Sequence, residues 1–157
     1  QVAREVPLLV LDQAYDAKDQ VERVATQGAM VVLTDLLPHS LARAGDPKNA
    51  YAAFDPTALP ATLDAAGVPF AIASGSGRLA PLLPLMAAAA VGRGLSPEAA
   101  LRALTLTPAE VLGVAADTGS LSRGKYADVL VTDGPLFATD SKVLMVVARG
   151  RTEFEAK

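Results

Sequence analysis

The sequence predicts an α/β fold, in which a parallel sheet with flanking helices is followed by a smaller β-layer. Three short apolar runs, at residues 6–11, 29–33 and 68–73, are separated by segments with helical spacing of apolar residues. Such runs are typical of strands buried on both faces of a parallel sheet, and their alternation with helices indicates right-handed β–α–β units. Strand-like residues also flank Arg149-Gly150, which predicts a tight hairpin near the end of the chain.

Helices are expected between the apolar runs, and turn-forming residues mark their ends. Asp16 can cap a helix that continues to about residue 28, and Asp55 begins one that a glycine stops at residue 67. A short helix is expected at 40–44, before a loop at 45–51 that is rich in turn-forming residues. An alanine-rich helix is expected over residues 79–94.

Two short capped helices, a glycine turn and a strand follow. Ser96 stands at the start of the first helix, with proline as the next residue. Thr107 is expected to cap the second, and Glu110 three residues later completes a capping box. Gly113 occupies the position of a left-handed C-terminal residue, and residues 127–132 form the strand.

The stretch from Leu95 to Asp133 resembles the C-terminal signature of the amidohydrolase superfamily, in particular imidazolonepropionase-like and dihydroorotase-like members. The residues that match in order are Glu98, Ala99, Ala100, Leu101, Thr105, Thr107, Pro108, Ala109, Leu112, Gly113, Gly119, Ser120, Leu121, Gly124, Lys125, Ala127, Asp128, Val129, Leu130 and Val131. The resemblance implies a partial (β/α)8 barrel, made of its last strands and helices, at residues 1–115. Residues 116–157 would then be strands of a flanking composite β-sandwich.

The length of the chain leads us to expect a partner. A (β/α)8 barrel typically needs about 250 residues, whereas this chain has 157 and begins with Gln1. We therefore expect the C-terminal part of a longer polypeptide. Its N-terminal half, or a second copy in a homo-oligomer, would complete the barrel.

Composition excludes several classes of function. The net charge of −3 is dispersed, so no basic stripe indicates nucleic acid, and the longest apolar run, at 79–91, is too short to span a bilayer. The absence of cysteine excludes disulfides, thiolate metal sites and a thiol nucleophile. We expect a soluble protein that does not bind membranes, and we favour the cytoplasm as its compartment.

The resemblance also implies a metal site, and this chain departs from it. Superfamily members bind a metal that activates water. Its ligands include a His-x-His pair on strand one and a Lys or Glu on strand four. Histidines on strands five and six and an aspartate on strand eight complete the set. Here Gly75 stands at the strand-eight position and Leu11 at the strand-five position, and the only histidine, His39, lies beyond the strand-six position. We therefore expect no metal ligands in this chain, and a zinc-type divalent metal only if the N-terminal half supplies them.

Two groups of polar residues at predicted strand ends remain as candidates. Asp12 and Asp35 end neighbouring strands, and their carboxylates could perform acid–base catalysis or hold a hard cation. The alternative is that they cap the following loops.

The second group is the turn Ser74, Gly75, Ser76, Gly77 and Arg78. Backbone N–H groups at such a strand-to-helix turn, with a guanidinium beside them, suit an anion such as phosphate. The alternative is a plain tight turn.

Three hypotheses of function follow. The first is an amidohydrolase-like protein from a branch without the usual binuclear metal site, which leaves a non-catalytic role open. The second is an active hydrolase of non-peptide C–N bonds, such as cyclic amides, whose metal is held by the N-terminal half. The third is an anion- or phosphate-binding module that uses the turn at residues 74–78.

Overall fold

The computed structural model describes residues 10–12, 19–34, 36 and 55–157. Asp16, the helix at 40–44, the loop at 45–51 and most of the first apolar run lie outside these residues. The expected start of the first helix directly after Asp16 is wrong, because the first described helix, Val21–Thr26, has Gln20 as its N-cap.

A three-stranded parallel sheet forms the first part of the fold. Its strands are β1 (Val10–Asp12), β2 (Met30–Thr34) and β3 (Phe70–Ala73), in the order β1-β2-β3. Asp12 is in register with Val32, and Thr34 is in register with Ala73. The parallel sheet predicted from the apolar runs is therefore confirmed.

Helices connect and follow these strands. They are α1 (Val21–Thr26), α2 (Leu59–Ala65), α3 (Leu83–Val91), α4 (Pro97–Leu104) and α5 (Leu106–Val111), with 3-10 helices at Pro56–Ala58 and Gly77–Leu82 directly before α2 and α3. Within the described ranges, no helix combines the length and the apolar character needed to cross a membrane.

The alanine-rich segment is not the single helix predicted for residues 79–94. Pro81 lies inside the 3-10 helix and Pro84 in the first turn of α3. Proline has no N–H to donate, so it is tolerated in a first turn and disrupts a helix interior. The two prolines explain why the α-helical part begins only at Leu83.

The hydrophobic core lies on one face of the parallel sheet. Val31 and Leu33 of β2 and Phe70 and Ile72 of β3 pack in one cluster with residues of α1 to α4, including the fully buried Met86. Because side chains alternate along a strand, Val32 and Thr34 point to the opposite face. A buried Leu, Phe or Met side chain contributes roughly 1.5–3 kcal/mol, so this cluster holds the sheet and helices together.

Asp55 joins the start of α2 to the end of α3. Its carboxylate caps the 3-10 helix by accepting the Thr57 N–H at 3.0 Å, and it also accepts the Thr57 hydroxyl. Arg93, just after α3, forms an ion pair with it at 2.8 Å. The pKa of Asp55 is lowered, and the hydrogen bond from the Thr57 hydroxyl is the largest cause. The Thr57 N–H and the positive charge of Arg93 also lower this pKa, whereas burial raises it.

The predicted caps of the two short helices had different outcomes. The Ser96 side chain accepts the Ala99 N–H at 3.1 Å, which confirms the first cap. The capping box at Thr107 is wrong, because α5 begins one residue earlier and Thr107 lies inside it. Thr105 is both the C-cap of α4 and the N-cap of α5. This direct junction leaves no room for a cap at residue 107.

A three-stranded antiparallel sheet ends the chain. Its strands are β4 (Val129–Thr132), β5 (Val143–Ala148) and β6 (Arg151–Glu155). The predicted hairpin is confirmed, with φ of 49° at Arg149 and 78° at Gly150. The described residues form one layer here, so the β-sandwich and the boundary between residues 115 and 116 stay predictions.

Gly119 fits closely against the start of α5. Its φ is +85°, and a Cβ added there would lie 2.8 Å from the Ala109 Cβ and 3.0 Å from the Thr105 carbonyl oxygen. Gly124, with φ of +91°, has nothing within 4 Å of such a Cβ. The glycine of the signature at residue 119 is therefore required by packing as well as by its backbone conformation.

We predict that Gly119→Ala lowers the free energy of unfolding by about 2–4 kcal/mol, since it adds overpacking to the cost of a left-handed alanine. Gly124→Ala carries the backbone cost alone, about 1–2 kcal/mol. Urea denaturation of the two variants measures the difference. Equal losses would show that the close contact at Gly119 has no energetic weight.

The lowered pKa of Asp55 predicts a pH-dependent contribution to stability. An ionised carboxylate whose pKa is depressed in the folded state stabilises the fold above its ordinary pKa, here 3.8, and this contribution is lost as the pH falls through the folded-state pKa. Asp55→Asn keeps an acceptor for Thr57 and removes the charge. It should cost about 0.5–1 kcal/mol at pH 7, as expected for a solvent-accessible pair.

The measurement is urea denaturation of both proteins between neutral and acid pH. The difference between them should shrink toward zero below the ordinary carboxyl pKa. Asp140→Asn, which removes a carboxylate from an exposed loop, controls for net charge. A difference that is constant with pH, or that grows in acid, would contradict the prediction.

Candidate functional site

The candidate site lies at the carboxyl edge of the parallel sheet. All three strands run in the same direction, so Asp12, Thr34 and the turn after Ala73 end at this one edge. Ligands and active sites of parallel α/β folds lie at this edge.

Asp12 is exposed and lies on the sheet face opposite the core. Its neighbour Leu11 packs against the core cluster, so alternation directs Asp12 to the other face, the one that a closed barrel would enclose. Its register with Val32 places it two residues below the level of Thr34. Asp35, its predicted partner, lies outside the described residues, so the carboxylate pair stays a prediction.

The turn after β3 is closed by its own hydrogen bonds. The Ser74 hydroxyl donates to the Ser76 carbonyl at 2.9 Å, and the Leu79 N–H donates to the same carbonyl at 3.1 Å. Gly75 has φ of +70°. These contacts are those of a tight turn, the structural alternative stated for this segment.

The anion site predicted for this turn gains limited support from the geometry. Ser76, Gly77 and Arg78 are exposed, so a ligand can reach them. The helix that follows is a six-residue 3-10 helix at Gly77–Leu82, and the Ser76 side chain does not cap it. A 3-10 helix has poorer hydrogen-bond geometry than an α-helix, so Arg78 is the main attraction for an anion. Binding at residues 74–78 stays a prediction.

The described residues do not fit the metal site that the resemblance implies. In the part of the chain that the structure describes, no group of three or more His, Cys, Asp or Glu side chains is placed to hold a metal ion. Gly75 at the strand-eight position has a left-handed backbone, and a Cβ there would meet the Thr34 Cβ at 3.5 Å. His39 lies outside the described residues. Gly75 therefore has no side chain to bind a metal, and its backbone conformation is one that residues other than glycine rarely adopt.

The sheet order corrects one expectation about this site. Because β2 pairs directly with β3, and neighbouring strands of a (β/α)8 barrel are consecutive, assigning β3 to strand eight makes β1 strand six. On this numbering β2 is strand seven, so the comparison of Leu11 with a strand-five histidine and the comparison of His39 with a strand-six histidine are both wrong. Apolar runs reveal that strands exist, whereas hydrogen bonding alone reveals which strands are neighbours.

The polar residues of the signature stabilise the scaffold. The Lys125 ammonium donates to the Thr118 carbonyl at 3.2 Å, and the Asp128 carboxylate accepts the Arg149 N–H of the hairpin at 2.8 Å. The Arg149 guanidinium also lies 5.1 Å from the centroid of the Tyr126 ring. Each of these contacts joins two parts of the scaffold, so these residues have a structural role.

A second concave feature was not predicted from the sequence. It lies at the amino end of β3, between α2, α4 and α5, and includes Thr107. Its residues are dispersed over more than forty positions, and Thr107 was expected to act as a cap, so no local pattern pointed to it.

Comparison with known proteins relates the chain to hydrolases. The family model described as "Amidohydrolase family" matches residues 9–152. A solved amidohydrolase from Thermotoga maritima MSB8 superposes with a TM-score of 0.78 and 27% identity, over 94% of this chain and 37% of that one. An adenosine deaminase from Xanthomonas campestris, solved with bound zinc, has a TM-score of 0.58 and 23% identity, over 88% of this chain and 35% of that one.

A curated relative is also a deaminase. An adenine deaminase from Rubrobacter xylanophilus is 38% identical over 66 residues, which are 42% of this chain and 11% of that protein. The chain thus spans a minor part of each relative. The family match covers most of the chain, and the structural likeness identifies its α/β fold as the TIM-barrel type. The chain therefore belongs to the amidohydrolase family.

Proposed function

We propose that this chain is part of a barrel hydrolase that cleaves C–N bonds other than peptide bonds. The observation that carries the proposal is the family match over residues 9–152. In such a reaction the oxygen of water bonds to carbon, the C–N bond breaks, and the leaving nitrogen gains a proton. Cyclic amides and aminopurines are the substrates to test first, since one relative is named an adenine deaminase.

We further propose that any metal ligands lie outside the described residues. The metal, when bound, would activate the attacking water. The unsuitability of Gly75 and the lack of a suitable group of ligands in the described ranges support this division. An N-terminal half of the barrel, or a second copy of the chain, would supply the remaining strands.

This chain's own contribution would come from the carboxyl edge of its sheet. Asp12 lies on the face away from the core and is open to solvent, so its carboxylate can accept a proton and return it to the leaving nitrogen. Arg78, in the exposed turn, can bind an anionic part of a substrate. Asp12 is the described residue that we assign to acid–base catalysis.

A non-catalytic role is the second candidate, and the turn after β3 favours it. Gly75 has a left-handed backbone, and the Ser74 hydroxyl is engaged within the turn. A barrel that retains its scaffold and has replaced its metal position would serve to bind a ligand or support a partner.

The decisive experiment uses the full natural protein. After loosely bound metal is removed, elemental analysis should find stoichiometric zinc, iron or manganese, and the protein should release ammonia from adenine or open a cyclic amide. Asp12→Asn should lower kcat about a hundredfold, as expected for loss of an acid–base group. Asp140→Asn, in the loop before β5, is the matched control. A protein that retains none of these metals and turns over neither substrate would contradict hydrolysis and favour the non-catalytic role.

We also predict that Gly75→Asp does not restore a metal site. The left-handed backbone costs a non-glycine residue about 1 kcal/mol, so the variant should be less stable at unchanged metal content. Gly28→Asp, at φ of +63° and with open space around a Cβ, reproduces this cost away from the edge. Urea denaturation and elemental analysis compare the two. An additional stoichiometric metal in Gly75→Asp alone would contradict the prediction.

A further inference from the structure

A cleft of about 280 Å³ opens at the amino end of β3, at the opposite end of the strand from the turn at residues 74–78. The residues that line it are Asp64, Gly67, Val68, Pro69, Phe70, Ala99, Arg102 and Thr107. Val68 and Phe70 are buried core residues, so they give the cleft an apolar floor. Asp64, Arg102 and Thr107 supply its polar groups.

Thr107 carries a hydroxyl that no described residue engages. The residue is only 2% exposed and lines the cleft, and its side chain makes no hydrogen bond to any part of the chain that the structure describes. No fully enclosed side-chain oxygen or nitrogen among the described residues lacks a partner. The Thr107 hydroxyl oxygen therefore keeps some accessible surface, and because Thr107 lines the cleft, a ligand there can bond to it.

Two opposite charges border the cleft without pairing with each other. Arg102 uses its Nη2 to bind Glu110, at 3.1 and 3.4 Å. Its other guanidinium nitrogens form no bond with the described residues, and neither does the Asp64 carboxylate. Asp64 also lies in the last turn of α2, where the negative end of the helix dipole favours a cation. The cleft thus presents donors for an anion and an acceptor for a cation.

We propose that this cleft binds a small zwitterion of amino-acid size. The carboxylate of the ligand binds the free nitrogens of Arg102 and the Thr107 hydroxyl, and its ammonium binds Asp64. An apolar side group lies on Phe70 and Ala99. The size of the cleft limits the ligand, since pockets for drug-sized molecules have volumes of about 300–1,000 Å³.

A zwitterion fits better than an ion of one sign. A simple anion would approach Arg102, whose charge Glu110 already offsets, and would leave Asp64 without a partner. A simple cation would satisfy Asp64 and leave the Thr107 hydroxyl and the Arg102 donors without an acceptor. A molecule with both charges satisfies all three groups at once.

The test is a titration of the full natural protein, isotopically labelled and followed by NMR, with three probes. L-alanine carries both charges, alaninamide lacks the carboxylate, and N-acetyl-L-alanine lacks the ammonium. L-alanine should bind, with shifts centred on α4 and α5, and each of the other probes should bind at least about tenfold more weakly. β-Alanine and 4-aminobutanoate then report the preferred separation of the charges.

Variants assign the contacts. Arg102→Gln and Asp64→Asn should each weaken L-alanine about tenfold, whereas Arg123→Gln, an exposed arginine outside the cleft, should leave its affinity unchanged. Thr107→Val should weaken the binding of L-alanine, because valine lacks the hydroxyl. Thr107→Ser should preserve the binding, because serine retains the hydroxyl. Both variants keep a small side chain at this buried site. Circular dichroism confirms that each variant is folded.

Three results would overturn the proposal. They are no binding of L-alanine at millimolar concentration, equal binding of the singly charged probes, and binding that the Arg102 and Asp64 variants leave unchanged. Loss of binding in Thr107→Ser with retained fold would also contradict the role of the hydroxyl.

Discussion

The packing of one face of the parallel sheet against the helices is the constraint on which the other features depend. Val31, Leu33, Phe70 and Ile72 direct their side chains to the helices, and the helices converge on them. Because side chains alternate along each strand, Asp12 lies on the opposite face together with Val32 and Thr34 of β2. A single requirement, the removal of apolar side chains from water, thus sets both the core and the direction of the polar strand ends.

The same constraint separates the scaffold of the family from its chemistry. The core and the turns keep the geometry of an amidohydrolase barrel, with a TM-score of 0.78 to the Thermotoga maritima structure. At the carboxyl edge, by contrast, the described side chains are a single carboxylate, small hydroxyls and one guanidinium, namely Asp12, Thr34, Ser74, Ser76 and Arg78. A shared fold therefore coexists, in the described residues, with a set of reactive groups that differs from the one the resemblance implies.

The strands and the helix starts at Ser96 and Asp55 could be predicted from local patterns, because apolar runs, capping residues and the Arg149-Gly150 pair act over a few residues. Features that depend on tertiary contact could not. Thr107 matches a capping box in sequence, yet the junction of α4 and α5 makes it a helix-interior residue that faces a cleft. The neighbours of each strand likewise follow from hydrogen bonding across the sheet, which no local pattern encodes.

Gly119 explains why the signature of this family is informative about ancestry and silent about activity. An atom added at that position would overlap Ala109, so the glycine is imposed by the shape of the scaffold whether or not a substrate is turned over. A motif of this kind can persist in a protein that has lost the activity of its ancestors. A chain that carries this motif shares the fold of the family, and its activity has to be inferred from other residues.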